Sequence, residues 1–154
     1  MNRTLIVVLS LSFLFPVGVS AQDAIFPSDI AGFRFGADLE EISAVCRAGE
    51  VIEGDYVCHE PGLNFRSDLI VHFSSEGYAT SIVIRSPRLG RAAEARRLHG
   101  MMLEQMTATF GEPSDLTENN QLSWSFYNGG TALLGMGILD FTHGYFELQF
   151  NSGR

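Results

Sequence analysis

The chain has 154 residues, with 18 acidic residues against ten basic ones and a formal net charge of −8 at pH 7. A chain of this length has room for one compact core and little more. Its acidic balance argues against nucleic acid as a partner, because contacts to phosphates need a net basic face.

Residues 1–21 have the three parts of a cleavable secretory signal. Arg3 supplies the positive start, and Leu5 to Phe15 form an uncharged apolar run that is too short to span roughly 30 Å of hydrocarbon as a helix. Val19-Ser20-Ala21 places small residues where a signal peptidase cuts, and a permanent anchor is the alternative. We expect a periplasmic or secreted protein that begins near Gln22 and is not stably inserted in a membrane.

The first predicted helix opens at Asp38, with Glu41 in the capping-box position three residues later. The lead-in before it, residues 23–34, carries enough apolar residues to pack, for example as an edge strand. Helical spacing in the short helix is kept by Leu39, Ile42, Val45 and Cys46.

Cys46 and Cys58 are the two cysteines of the chain. In an oxidising compartment an isolated pair twelve positions apart is most simply a structural disulfide. A redox-active pair is the alternative, but the Cys-x-x-Cys spacing is absent. The predicted bridge ties the first helix to the segment that follows it.

Three strands in an antiparallel meander follow this helix, at Val51 to His59, Leu63 to Ser74 and Tyr78 to Ser86. The chain then returns to a helical period from Arg91 to Phe110, and Gly111 stands where a left-handed cap belongs. Three more strands are predicted after the polar loop Ser114 to Asn120. They start at Leu122, Thr131 and Tyr145.

The order is therefore a helix and three strands over residues 38–87, and the same again over 90–151. We interpret this order as a degenerate tandem repeat within a single domain of residues 22–154. The predicted fold class is α+β, with an antiparallel sheet of about six strands and both helices on one face. One contiguous core is expected from Leu39, Ile42, Val45, Val71, Phe73, Ile82, Ile84, Leu98, Met102, Met106, Trp124, Phe126, Phe146, Leu148 and Phe150.

No catalytic or metal-binding constellation stands out in the sequence. The four histidines are His59, His72, His99 and His143. No two of them lie three to five positions apart, which is the spacing expected of two zinc ligands on one element. In the sequence, histidine and carboxylate come close together only in His59-Glu60 and in Asp140-x-x-His143. The first pair is explained by the end of a strand and the second by a hairpin turn. No nucleophile elbow or phosphate-binding glycine loop occurs. We predict no catalytic residue, no metal and no cofactor.

The candidate binding residues are arginines and tyrosines. Five arginines fall within thirteen residues that contain one acid, Glu94, and they are Arg85, Arg88, Arg91, Arg96 and Arg97. Two interpretations stay open: a solvated face that pairs with the protein's own acids, or a docking patch for an anionic partner or headgroup. Tyr127 and Tyr145 alternate with the apolar residues of their strands, so we expect them on the opposite, exposed side of the sheet. Exposed aromatic side chains on a sheet are typical of protein-binding surfaces.

Two local patterns carry a resemblance to known proteins. Gly32-Phe33-x-Phe35-Gly36-x-Asp38 opens a short helix before a meander, and Phe110-Gly111-Glu112-Pro113 precedes a strand that bears tryptophan. This layout resembles small bacterial envelope proteins of the SmpA/OmlA (BamE) family and β-lactamase-inhibitor proteins. The resemblance implies helices followed by antiparallel strands, in a non-enzymatic adaptor or inhibitor that binds protein through its sheet. The chain lacks the lipidated cysteine of the outer-membrane family, and no individual functional residue is carried over.

We expect an exported, non-enzymatic protein-binding module: an inhibitor, an immunity-type protein or an envelope accessory protein. Its partner would be another protein in the cell envelope or outside the cell. The alternative is a small exported hydrolase or ligand-binding protein that uses His72 or His143 beside an acid, since residues distant in sequence converge in a fold.

Overall fold

A computed structural model of the chain describes residues 23–46, 48–59 and 61–153. The signal predicted at residues 1–21 lies outside these ranges. The described residues form two helices, α1 (Leu39–Val45) and α2 (Ala92–Phe110). The strands are β1 (Asp29–Ile30), β2 (Phe33–Arg34), β3 (Gly49–Ile52), β4 (Asp55–Cys58), β5 (Asp68–Phe73), β6 (Ala79–Arg85), β7 (Asp115–Leu116), β8 (Leu122–Ser125), β9 (Thr131–Ile138) and β10 (Gly144–Asn151).

Eight of the strands form one antiparallel sheet in the order β3-β4-β5-β6-β10-β9-β8-β7. Helix α1 precedes the meander β3 to β6, and helix α2 precedes the meander β7 to β10. The two meanders meet where β6 pairs with β10, with Ile84 opposite Leu148 and Ile82 opposite Phe150. The predicted α+β class and the antiparallel sheet are therefore confirmed.

The predicted number of strands, about six, was wrong. The segment expected as one strand from Val51 to His59 turns back at Glu53 and Gly54, whose φ angles are 53° and 93°. Two successive residues with positive φ form a turn whose twist suits a two-residue hairpin. The segment therefore forms both β3 and β4. The other additional strand, β7, lies within the predicted loop Ser114 to Asn120.

The lead-in is not an edge strand of the main sheet, because β1 and β2 pair only with each other. It is held instead by side-chain packing and by single hydrogen bonds. The Phe26 ring lies 4.8 Å from Phe35 and 5.3 Å from Phe126, measured between ring centroids. The Tyr127 N–H donates to Ala24 O at 3.0 Å, which ties this segment to the turn after β8.

One cluster of buried side chains connects both helices and the sheet. Alternate strand residues supply one side of it, including Leu69, Val71, Ile82, Ile84, Leu134, Phe146, Leu148 and Phe150. Helix α1 contributes Ile42, and α2 contributes Leu98, Met102, Met106 and Phe110. Leu39 and Val45 were predicted in this core but are 43% and 47% exposed, because α1 has seven residues and turns only Ile42 fully inward.

Helix α2 ends as predicted, with Gly111 at a φ of 84° and its N–H bonded to Thr107 O. The buried indole of Trp124 donates to Gly111 O at 2.9 Å, which satisfies its only donor. Within the described residues, neither helix combines the length and the hydropathy that crossing a membrane requires.

The predicted disulfide is confirmed, and its Cα atoms are 6.0 Å apart. It joins the end of α1, at Cys46, to the end of β4, at Cys58. The Tyr56 hydroxyl donates to Cys46 O, so a buried hydrogen bond supports the same junction. The bridge and this bond fix the short α1 against the outer part of the sheet.

Replacing Cys46 and Cys58 together with alanine should lower the free energy of unfolding by about 3 kcal/mol, because the unfolded chain gains the freedom of an open loop. Urea unfolding followed by circular dichroism measures the change. The reduced wild-type protein is the matched control and should unfold at the same urea concentration as the double variant. A loss below about 0.5 kcal/mol would contradict this role of the bridge.

Candidate functional site

The sheet has a second face, opposite α1 and α2, which we call the helix-free face. Side chains alternate along a strand, so this face carries the residues between the buried ones. Its central members are Val57, Asp68, Ile70, His72, Ser81, Val83, Arg85, Tyr145, Glu147, Gln149, Asn151, Thr131 and Leu133. The register of the strands arranges these side chains in rows that run across the sheet.

The first row alternates in charge across five residues, four on strands and His59 just after the end of β4. The Arg85 Nε lies 2.6 Å from Glu147 Oε2, and this pair is largely buried, with side-chain exposures of 25% and 19%. Asp68 stands opposite Arg85 on the other side. The two ring nitrogens of His59 contact Asp68 at 2.9 Å and Glu50 at 3.0 Å. We call these five residues the ionic row.

The His59 imidazole is the titrating member of the ionic row. Hydrogen bonds to Asp68 and then to Glu50 raise the pKa of His59 above its ordinary value of 6.5. The side chain is 46% exposed, so water screens the attraction. Protonation of His59 changes the charge pattern of this face.

A second row is polar and continues over the junction between β6 and β10. The His72 Nδ1 lies 2.8 Å from Asp55 Oδ2, and Ser81 stands opposite His72. The Gln149 amide donates to Ser81 Oγ at 3.3 Å and to Asn151 Oδ1 at 2.8 Å. We call these five residues the polar row.

An apolar row lies between the ionic row and the polar row. Val57, Ile70 and Val83 occupy facing positions on three adjacent strands. Val83 is 2% exposed and Val57 is 9% exposed, whereas Ile70 is half-buried. Leu133 continues the row on β9, beyond Gln149. The polar Gln149 interrupts this apolar row, and its half-buried members are Ile70 and Leu133, framed by side chains that already bond to one another.

The five predicted arginines fall on both sides of the sheet. Arg85 belongs to the ionic row, and the Arg88 guanidinium lies 5.7 Å from the centre of the Tyr145 ring, in cation–π range. Arg97 pairs with Glu94 on α2 at 2.7 Å. The remaining two, Arg91 and Arg96, are exposed on α2 and its cap, and neither forms an ion pair with a described carboxylate.

The two predicted tyrosines lie at opposite ends of β9. Tyr145 pairs with Gly137, and its ring occupies the space that a side chain at that glycine would need. This contact explains a glycine inside a strand. Tyr127 is 83% exposed beyond Thr131, at the turn between β8 and β9. Only Tyr145 joins Arg85 and Arg88 at one end of the helix-free face.

The other histidines have local roles. His143 contacts Asp140 at 2.9 Å within the turn between β9 and β10, and hydrogen bonds from His143 and Thr142 hold the pKa of Asp140 well below its usual range. Burial lowers the pKa of His99 on α2. Among the described residues, no histidine bonds to a serine hydroxyl and no group of three potential ligands converges on a metal position.

Sequence spacing did not reveal the pairs Asp55–His72 and Asp68–His59. Their members lie 17 and nine positions apart in sequence and come together only through strand pairing. Alternation along β5 puts Ile70 and His72 on one side of that strand, and alternation along β6 puts Val83 and Arg85 on one side of theirs. Predicting these pairs requires the register between neighbouring strands, and alternation within a strand does not give that register.

A scan against protein-family models, a search of curated proteins and a search of solved structures each found no match to this chain.

Replacing His59 with glutamine should remove a pH-dependent contribution to stability. A pKa that folding raises above 6.5 contributes stability that is complete below that pH and is lost as the pH rises through the folded value. The wild-type melting temperature should therefore fall more between pH 5.5 and pH 8.5 than that of His59→Gln.

His99→Gln is the matched control with the opposite sign. Burial lowers the pKa of His99, so its contribution is present above 6.5 and is lost as the pH falls. Removing His99 should make the fall in melting temperature towards pH 8.5 steeper. Equal pH responses of the wild type and His59→Gln would contradict the ionic row as a coupled set of charges.

Proposed function

We propose that this chain is an exported, non-enzymatic protein-binding module whose partner docks on the helix-free face. The observation that carries the proposal is the pair of half-buried apolar side chains Ile70 and Leu133, which lie on the helix-free face between the ionic row and the polar row. Protein interfaces have this organisation, with an apolar centre and a polar rim. The resemblance to small envelope adaptors and inhibitors points in the same direction.

The size of the face supports the proposal. Seven steps of about 4.8 Å between eight strands make it roughly 34 Å wide. That width is compatible with one side of a standard interface, which buries roughly 800 Å² per partner. Exposed or half-buried apolar side chains are spread over it at Ile52, Ile70, Leu133 and Tyr145.

The existing hydrogen bonds also favour binding. His59, His72, Arg85 and Gln149 are held by partners on neighbouring strands before any ligand arrives. Ordering such side chains costs free energy when a complex forms, so side chains that are already ordered reduce that cost. The disulfide adds rigidity at the β3–β4 edge of the face.

Site-specific photo-crosslinking in cells of the native host tests this proposal. A benzophenone amino acid at Ile52 or Leu133, on the helix-free face, should give a discrete adduct with another protein. The matched control positions are Ala93 and Glu104, which are exposed on α2. Adducts of equal yield from α2, or adducts from neither surface, would contradict docking on the helix-free face.

A second candidate is the small hydrolase. The contact of 2.8 Å between His72 and Asp55, with Ser81 opposite His72, favours it. Against it, Ser81 is 8% exposed and its described partner is Gln149 rather than His72. A base in hydrogen-bond reach of the nucleophile is what activation of a serine requires.

A fluorophosphonate probe separates the two functions because it labels activated serines covalently. A binding module should remain unlabelled at concentrations that label a serine hydrolase fully, as read by intact-mass spectrometry. Labelling of the wild type that disappears in both Ser81→Ala and His72→Gln would favour the hydrolase over the binding module.

A further inference from the structure

A cleft of about 290 Å³ lies between the end of β6, the start of α2 and the start of β10. It is separate from the helix-free face. Its apolar walls include Leu89, Ala95 and Leu98, and its basic groups are Arg66 and Arg91. Ligand pockets commonly have volumes of about 300–1,000 Å³, and this cleft, at the lower edge of that range, has room for one small group.

The charge of the cleft is positive. Neither Arg66 nor Arg91 forms an ion pair with a carboxylate of the described residues. The acidic lining residue, Glu94, already accepts two hydrogen bonds from Arg97, at 2.9 and 2.7 Å. Its charge is therefore balanced on the helix, and the two guanidiniums are left to attract an anion.

A buried hydroxyl also lines the cleft. Ser86 is 5% exposed, and its Oγ accepts the N–H of Phe146 at 2.9 Å. The described residues supply no acceptor for the hydroxyl proton of Ser86. This proton can be donated to a ligand oxygen.

Exposed apolar side chains occur in the lining of the cleft and on the neighbouring turn. Leu89 is 77% exposed, and Phe141, at the turn between β9 and β10, is fully exposed. Two backbone hydrogen bonds hold this turn against the loop before α2: Ala92 N to Thr142 O at 2.8 Å, and Gly144 N to Gly90 O at 2.9 Å. A ligand longer than the cleft would extend along the exposed side chain of Leu89.

We propose that the cleft binds a carboxylate carried on an apolar stem. Arg66, Arg91 and the Ser86 hydroxyl hold the carboxylate, and the stem packs between Leu89 and Leu98. This chemistry is offered by the free carboxyl end of a peptide with an apolar last residue, or by a small aliphatic acid. The inference does not depend on docking at the helix-free face.

Titration of the ¹⁵N-labelled exported protein distinguishes the two sources. The probes are acetyl-Gly-Gly-Leu-Phe with a free carboxylate, the same peptide as its carboxamide, and hexanoate. Shifts of the Gly90, Ala95 and Gly144 amides give the affinity. We expect the carboxylate peptide to bind at least tenfold more tightly than the carboxamide, the usual effect of one charge-assisted hydrogen bond.

Hexanoate that binds as tightly as the peptide would assign the cleft to small acids, and much weaker hexanoate would assign it to peptide ends. Arg66→Gln and Arg91→Gln should each weaken carboxylate binding about tenfold. Arg96→Gln removes an arginine of the same helix that does not line the cleft, and it should leave binding unchanged.

Equal affinity of the carboxylate and the carboxamide in the wild type would overturn the proposal without any variant. Equal losses of carboxylate affinity in Arg91→Gln and Arg96→Gln, at unchanged melting temperatures, would also overturn the proposal. The anion would then be attracted by the positive charge of the helix in general and not by a site in the cleft.

Discussion

The pairing of β6 with β10 is the contact on which the rest of the structure depends. Five residue pairs join the last strand of one meander to the last strand of the other. On the helix side, Ile82 and Ile84 face Phe150 and Leu148, which merges the apolar residues of both halves into one cluster. Each half alone would leave much of this apolar surface in water, at a cost of roughly 25 cal/mol per Å².

The same pairing builds the helix-free face. The Arg85–Glu147 ion pair and the bond from Gln149 to Ser81 both cross from one half to the other. The ion pair is largely buried, and removing one partner of such a pair leaves an uncompensated charge. Both the fold and the proposed binding surface therefore require the same strand contact, so changes at this junction affect stability and binding together.

Local patterns in the sequence were sufficient for the elements that depend on local physics. Asp38 caps α1 by accepting the N–H of Glu41, and Gly111 ends α2 with a positive φ, both as their residue types predict. The turn at Glu53 was missed because a glutamate seldom adopts positive φ. Leu39 has the spacing of a core residue, yet α1 is too short to bury it.

The site was less predictable than the fold because its contacts are not local. Alternation separates His72 and Arg85 from the core residues of their own strands, but Asp55 and Glu147 join them only through register. The cleft combines Arg66, Arg91 and Gly144 from three separate segments. The arginine-rich segment is visible in the sequence. Its arginines are divided between the two sides of the sheet because β6 ends and α2 begins within the segment.

Methyl cross-saturation in the complex with the native partner tests the central claim most directly. Saturation of the partner's protons should reach the methyl groups of Ile52, Ile70 and Leu133 on the helix-free face, and should spare those of Ala93 and Ala108, which are exposed on α2. Saturation confined to the α2 methyl groups, with Ile70 and Leu133 unaffected, would contradict docking on the helix-free face.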